Sequence, residues 1–325
     1  MLRLKLLLVI FTFITLNVNA GTTAEIEPIH LLKTHTIGAQ AAIFNKVATT
    51  PDFTLEYLRK LDEKPNYSSY TPGTKEMEII RKATEILPPQ HKKLINDRLI
   101  GIYFVNDFLS SGYTEWVIDS DSNLYFFIVF NPKTLESDIS RILTEKEKTA
   151  FIKDDSFTDI SIDCGKKHSG FYYIFLHEAG HILDYLKNIT PYVEKTLIEI
   201  QGIKIIEKPF TEKIWADYSR PEKKYDFPER NNIKFYGFGG GPKIKISDSA
   251  KLYKHFSKTP FFTLYASQNW VEDWAEFYAF TIMANKLKIP YTIKISQNNK
   301  IIYSYKPYKN SLLSQRMKKI KTYSF

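Results

Sequence analysis

The segment from His177 to His181 joins three side chains that can do chemistry together. Two histidines four positions apart lie on one face of a helix, one turn apart, so both imidazoles can bind the same tetrahedral ion. Glu178 projects beside them, where its carboxylate can accept a proton from a metal-bound water. The spacing therefore predicts a metal centre on a helix, with Zn²⁺ as the expected ion.

A third ligand is required, because two histidines do not hold zinc tightly while leaving a position open. The segment from Asn269 to Glu276 offers Glu272 and Glu276, again four positions apart and among large aromatic residues. Two carboxylates on one inward helix face are costly unless each has a partner. A metal for one and a ligand imidazole for the other would resolve that cost. The alternative is a solvated acidic stripe.

Both motifs lie in predicted helices. The segment from Phe171 to Lys187 has no proline and one internal glycine, and a second regular helix is predicted from Asn269 to about Leu287. Further helices are predicted at Thr54 to Leu61, at Thr74 to Ile86, and from a capping box at Thr144 towards Ile152.

Short runs of aromatic and β-branched residues predict strands between these helices. The strand candidates are Leu99 to Val105, Thr114 to Ile118, Leu124 to Phe130, Ile160 to Asp163, and a terminal hairpin within Ile289 to Tyr305. Asp119 to Asn123 is a turn cluster, so Thr114 to Phe130 is predicted to form a hairpin. Pro65 to Gly73 is predicted to be a turn-rich connection.

The first twenty residues have the layout of a secretory signal. Arg3 and Lys5 precede an apolar run from Leu6 to Leu16, and small residues lead to a cleavage site after Ala20. The apolar run is shorter than the roughly 20 residues that span a bilayer, so an uncleaved anchor is the less favoured alternative. We therefore expect a secreted or periplasmic protein without stable membrane insertion after signal cleavage.

Composition agrees with a packed globular fold. Of the 325 residues 43% are hydrophobic and 15% aromatic, which argues against disorder. The net charge of +9 is spread over the chain apart from the stretch Arg316 to Lys321, so no nucleic-acid partner is expected. Cys164 is the only cysteine, which excludes an intramolecular disulfide. It is predicted to be a buried small hydrophobe, because Asp163 beside it disfavours a thiolate.

The pattern His177-Glu178-xx-His181, followed by Tyr265 and Glu272-xx-Ala275-Glu276, resembles the anthrax lethal factor catalytic domain and the related Pro-Pro endopeptidases. In that family a tyrosine lies seven residues before the glutamate ligand, as Tyr265 does here. The resemblance implies that Glu272 is the third metal ligand and that Glu276 supports a ligand imidazole. It also implies Glu178 as general base and Tyr265 as donor to the developing oxyanion. It covers about 90–190 and 255–290.

The resemblance implies an α+β zincin-like fold, in which a small mixed sheet packs behind the first motif helix. The predicted parts are a signal peptide at 1–20, a helical region at 21–89, a catalytic domain at 90–290 and a C-terminal hairpin with a basic tail at 291–325. His181 and Glu272 are further apart than in those relatives, so 188–251 is interpreted as an insertion, with a hinge or lid at Gly237 to Gly241. In such folds an edge strand binds the substrate backbone, and Leu124 to Phe130 is predicted for that role.

The expected function is a zinc-dependent endopeptidase that acts on a peptide or protein substrate. Two alternatives are a non-catalytic secreted binding protein on a degenerate zincin scaffold and a zinc amidase acting on cell-wall peptides. The complete set of ligand and base positions argues against the degenerate scaffold. Asp184, one turn beyond His181, is a weaker candidate, expected beside the ligands or in solvent. His168 and His255 are isolated and expected to be structural or exposed.

Overall fold

The computed structural model describes residues 26–36, 42–203, 206 and 208–320. The predicted signal segment 1–20 lies outside the described residues. Within the described ranges, no helix combines the length and the apolar character that crossing a bilayer requires. The described chain mixes helices with small sheets, which confirms the predicted α+β class.

Ten α-helices occur in the described part of the chain. They are α1 (Asp52–Asp62), α2 (Thr74–Ile86), α3 (Pro89–Arg98), α4 (Lys133–Glu136), α5 (Ile139–Lys148), α6 (Gly170–Lys187), α7 (Lys195–Gln201), α8 (Ser249–Phe256), α9 (Trp270–Ile282) and α10 (Ser311–Ile320). The two motif helices are confirmed as α6 and α9. Asn269 caps α9 by accepting the backbone N–H of Glu272 at 2.9 Å, and a π-helical turn over Met283–Leu287 ends it.

The strands form one four-stranded sheet and three smaller ones. They are β1 (Ser68–Tyr70), β2 (Leu99–Asn106), β3 (Gly112–Ile118), β4 (Leu124–Phe130), β5 (Phe151–Ile152), β6 (Thr158–Asp163), β7 (Trp215–Asp217), β8 (Arg220–Pro221), β9 (Ile244–Lys245), β10 (Thr292–Gln297) and β11 (Lys300–Tyr305). The main sheet has the order β1-β2-β4-β3 and is mixed, because β2 and β4 run parallel while the other pairs are antiparallel. The two predicted hairpins are confirmed as β3–β4 and β10–β11.

The prediction that Leu124 to Phe130 is the edge strand is wrong. This strand is β4, which lies between β2 and β3, so β3 forms the edge. The reason is that β4 pairs with β2 on one side and with β3 on the other, and its apolar residues are covered on both faces of the sheet. Phe126 and Ile128 pack in the core that contains α6, while Phe127 and Val129 pack against α1 on the other face.

Helices α6 and α9 pack face to face through small residues. A Cβ added to Gly180 of α6 would lie 3.0 Å from the Ala275 Cα of α9, so glycine permits this close approach. Trp274 Nε1 of α9 donates to the Gly180 carbonyl of α6 at 2.8 Å, which restrains sliding of one helix along the other. Both helices are buried over most of their circumference, as their largely apolar sequences require.

Three local predictions are corrected by the structure. Helix α5 begins five residues before the predicted start at Thr144, because Asp138 caps it by accepting from the Arg141 N–H at 2.9 Å. Thr144 instead lies inside α5 and accepts the Ile162 N–H at 2.9 Å. The predicted turn from Pro65 to Gly73 contains β1. Helix α3, which follows α2, has no counterpart among the predicted helices.

The described residues of the segment 188–251 and of the C-terminal region 291–320 are packed into the protein. In 188–251, β9 pairs in parallel with β5, and buried aromatic and aliphatic side chains join the main core. Those residues are Leu197, Phe210, Trp215, Phe227, Ile233, Phe235, Ile244 and Ile246. At the other end β10 pairs with β6. Arg316, predicted to belong to a basic tail, is buried in α10 because it pairs with Asp273 of α9.

Candidate metal centre

The structure brings His177, His181 and Glu272 together in a group that could hold a metal ion. The two imidazole Nε2 atoms lie 3.1 Å apart. Glu272 Oε2 lies 3.2 Å from His177 Nε2 and 3.7 Å from His181 Nε2. The histidines face α9 because they share one side of α6, and the cap at Asn269 places Glu272 in the first turn of α9.

The spacing of these three atoms fits a tetrahedral ligand set. Zinc binds histidine nitrogen and carboxylate oxygen at about 2.0 to 2.1 Å, which puts tetrahedral ligand atoms roughly 3.3 to 3.4 Å apart. The three observed separations lie on either side of that value. Glu272 Oε2 is also buried without a well-aligned hydrogen bond to any described residue. A buried carboxylate oxygen of this kind is costly unless a cation satisfies it.

The pKa values of His177, His181 and Glu272 depend on their contacts with one another and with Glu276. Burial alone would lower the pKa of His177, but the carboxylates of Glu272 and Glu276 outweigh burial and raise it to about 9. Burial lowers the pKa of His181 to about 4. Burial alone would raise the pKa of Glu272, yet the two imidazoles bring it below its usual range. A metal ion bound to these groups would compete with protons for the same atoms, so metal binding would release any proton held there.

Glu276 holds the side of His177 that faces away from the metal group. It is fully buried, and His177 Nδ1 lies 3.0 Å from its Oε1, although this contact is not aligned as a hydrogen bond. Oε1 also accepts from Lys146 Nζ at 3.0 Å and from the Tyr173 hydroxyl, while Oε2 accepts from Thr263 at 2.9 Å. Burial alone would raise the pKa of Glu276, but Lys146 and His177 hold it well below its usual range. Glu276 is therefore a buried carboxylate in contact with an imidazole of the candidate metal group, the position of a residue that orients a metal ligand.

Glu178 lies between α6 and the edge strand β3. The Thr114 hydroxyl donates to Glu178 Oε2 at 2.7 Å. A Cβ added to Gly112 would lie 2.5 Å from Glu178 Oε1, so only glycine leaves room for this carboxylate. Burial raises the pKa of Glu178 to about 7, with the His177 charge and the Thr114 bond acting in the opposite direction. A carboxylate with such a pKa is matched to proton transfer near neutral pH.

Tyr265 lies beside the metal group in a short 3₁₀ turn, Tyr265–Ser267. Its ring centroid is 6.1 Å from that of His177. Phe235 meets the Tyr265 ring edge-on at 5.2 Å, and Lys146 Nζ lies 3.8 Å from its centroid. The segment 188–251 therefore contributes to the site through Phe235.

Lys146 contacts both Glu276 and Tyr265, two residues beside the candidate metal group. It is buried, it donates to Glu276 and to the Tyr173 hydroxyl at 2.7 Å, and its charge lies over the Tyr265 ring. Burial alone would lower the pKa of Lys146, but Glu276 outweighs burial and raises it. Lys146 therefore stays charged and supports both Glu276 and Tyr265.

Sequence reasoning did not identify Lys146, Tyr173, Thr263, Thr114 or Gly112 as part of the site. Two of them had a signal. Tyr173 is four positions before His177, hence on the same helix face. Lys146 lies four and three positions after Ile142 and Leu143, on the apolar face of α5, but the incorrect start predicted for this helix concealed that pattern. The other three are brought to the site by tertiary packing.

The weaker candidates lie apart from the metal group. Asp184 is buried and accepts the Thr190 N–H and hydroxyl, each at 2.7 Å, which fixes the turn after α6. His255 pairs with Glu229 at 2.9 Å, and His168 packs against the Tyr172 ring. Burial, with help from the Asp163 charge, raises the pKa of the Cys164 thiol, as the sequence predicts.

Comparison of the chain with protein-family models, with curated proteins and with solved structures gives no match.

Proposed function

We propose that this chain is an exported zinc-dependent endopeptidase with a zincin-like active site. The observation that carries the proposal is the convergence of His177, His181 and Glu272 at tetrahedral spacing, with Glu178 following His177 in α6 and coupled electrostatically to His177 and Glu272. Two nitrogens and one oxygen from protein, with one position left for water, is the donor set of catalytic zinc sites. Zinc bound there would lower the pKa of a bound water and polarise a substrate carbonyl.

Glu178 is proposed as the general base. The Thr114 hydroxyl donates to one carboxylate oxygen at 2.7 Å and so restrains the orientation of the carboxylate. The other oxygen is held against Gly112, on the accessible part of β3. In this position Glu178 would take a proton from the attacking water and pass it to the leaving amine.

Tyr265 is proposed as the donor to the oxyanion that forms when the carbonyl is attacked. Its ring centroid lies 6.1 Å from that of His177, and the ring packs against Phe235 and Lys146. Burial, together with the charge of Glu272, raises the pKa of Tyr265 well above its usual value, so the hydroxyl keeps its proton and can donate it in a hydrogen bond.

The substrate backbone is proposed to pair with β3, in place of the strand favoured from sequence. Backbone bonds flank the β3–β4 hairpin at Asn131 to Ser111 and at Asp119 to Asn123. The odd-numbered residues of β3 therefore face β4, and the even-numbered ones direct their N–H and C=O groups to the open edge. Thr114 is among the latter and touches Glu178, so a peptide paired there would have a peptide bond beside the general base.

The test is hydrolysis of a peptide library by the purified, zinc-loaded protein. Glu178→Gln should keep the zinc and the fold, because the amide is nearly isosteric, but should lose about 10²- to 10⁴-fold in kcat. Glu145→Gln, an exposed glutamate on α5, is the matched control and should be fully active. Turnover by Glu178→Gln at the wild-type rate would contradict the assignment. Zinc binding without hydrolysis of any peptide would favour the binding-protein alternative, and release of cell-wall peptides by amide cleavage would favour the amidase.

A further inference from the structure

The two halves of the edge strand β3 differ in burial. Gly112, Tyr113 and Thr114 are half-buried, whereas the strand from Glu115 to Ile118 is buried. An edge strand presents unpaired N–H and C=O groups, so the question is what covers these groups along its buried half.

The covering element is the N-terminal segment, residues 26–36. His30 Nδ1 lies 3.1 Å from the Trp116 carbonyl oxygen, and the imidazole stacks on the Trp116 indole at 3.9 Å with an interplanar angle of 12°. One residue further, Leu31 forms an isolated parallel bridge to Ile118. Trp116 and Ile118 are the even-numbered residues whose backbone groups face the edge. The N-terminal segment therefore occupies the positions that a longer bound peptide would use.

The first half of the edge keeps a free pairing position. Ser110 donates its hydroxyl to the Gly112 carbonyl at 2.7 Å. For the outward N–H and C=O of Thr114, the described part of the chain provides no backbone partner. Thr114 is thus the residue of the edge that combines free backbone groups with contact to Glu178.

The N-terminal segment is fixed to the fold. Ile29 is buried in the core between α1 and the sheet. His35 is buried as well, lies 2.7 Å through Nε2 from the Ile29 carbonyl oxygen, and packs against Phe53 and Phe127. Ile29 and His35, one on each side of His30, therefore anchor the segment against the sheet edge.

We infer that His30 and Leu31 form a fixed stop on the β3 edge, so that substrate residues beyond about two on that side of the cleaved bond gain no pairing with β3. This inference rests on the proposed function. Thr114 and Trp116 are two residues apart, about 7 Å along a strand, which leaves room for roughly two substrate residues. Antiparallel pairing is the more stable arrangement, and it puts the short side N-terminal to the cleaved bond.

A peptide length series tests the stop. One parent peptide is extended residue by residue, first on the N-terminal and then on the C-terminal side of its cleavage site, and kcat/KM is measured. For the wild type, N-terminal extension beyond about two residues should change kcat/KM by less than about twofold, while C-terminal extension continues to raise it. His30→Gly frees the Trp116 carbonyl, so further N-terminal residues should gain about two- to tenfold for each new hydrogen bond. Lys33→Ala, an exposed change in the same segment, is the control and should behave as wild type.

Two results would overturn the stop while leaving the proposed function intact. They are a steady rise of kcat/KM with N-terminal length in the wild type, and an unchanged length profile in His30→Gly. The same series measured as Kd on zinc-loaded Glu178→Gln gives the answer without turnover. Peptides that bind there with the predicted length limit but are never cleaved by the wild type would support the stop and refute the peptidase.

Discussion

Helix α9 carries two buried ion pairs three positions apart, and only one of them adjoins the metal group. Asp273 pairs through both carboxylate oxygens with Arg316 of α10, and the Trp215 indole donates to it at 2.8 Å. This pair links α9 to α10 and to the segment 188–251. These donors satisfy the Asp273 carboxylate, although the Arg316 Nε atom is buried without a hydrogen-bond partner among the described residues.

The second pair, Glu276 with Lys146, continues into the site. The Glu276 carboxylate also contacts His177, and one turn earlier on the same helix lies Glu272, whose Oε2 has no aligned partner among the described residues. Burying an ion pair costs desolvation in both cases. The two pairs therefore differ at the carboxylate. That of Asp273 joins elements of the fold, whereas that of Glu276 adjoins a group of residues that could hold a metal ion.

The largest effect is expected for the pair of Asp273 and Arg316, and it should concern the free energy of unfolding alone. Asp273→Asn leaves Arg316 buried without a charge partner, which should lower the free energy of unfolding by about 3 to 5 kcal/mol. Urea unfolding measures this change. The zinc affinity and kcat of the folded variant should equal those of the wild type. A tenfold loss of zinc affinity would mean that the two pairs act as one network.

The next effect concerns Tyr265, which Lys146 supports. Tyr265→Phe should lower kcat by about 10² to 10³ with little change in KM, because the lost hydroxyl acts mainly in the transition state. Its zinc content and melting temperature should stay near wild type. Tyr308→Phe is the control, since its hydroxyl donates to the Phe280 carbonyl at 3.0 Å and should affect stability only. An unchanged kcat in folded Tyr265→Phe would reject the assignment and much of the family resemblance.

The third prediction compares the two ion pairs by their zinc affinity, where the expected effect is smaller than the two above. Glu276→Gln should weaken zinc binding by about 10- to 100-fold, because a neutral amide no longer orients the His177 imidazole. It should also lose stability to a degree similar to Asp273→Asn, since Lys146 is left without its carboxylate. Zinc titration of both variants with a competing chelator gives the comparison. Equal zinc affinities in the two variants would show that Glu276 is only a packing partner.

Much of the site follows from sequence because its ligands lie on two regular helices. Spacing by four positions puts His177 and His181, and separately Glu272 and Glu276, on single helix faces, whatever the rest of the fold does. The structure brings the two faces together, as the need for a third metal ligand predicts. The assignment of roles to Glu178 and Tyr265 stays a prediction that kinetics must test.

The rest could not be predicted because it depends on tertiary contacts. Strand β4 was predicted with correct limits, yet its place between β2 and β3 depends on pairing across the chain. Local sequence favoured a helix start at Thr144, whereas Asp138 caps the helix in the structure. Lys146 was missed as a consequence, since a lysine is assigned to solvent unless its helix face is known.

The zinc content of the purified protein after dialysis tests the central claim most directly. The wild type should carry about one zinc per chain, while His181→Ala, which removes one of three ligands, should carry almost none. His255→Ala changes a histidine that pairs with Glu229 away from the site, so it should keep its zinc. Full zinc occupancy in His181→Ala, or none in the wild type, would contradict the metal centre and the function proposed from it.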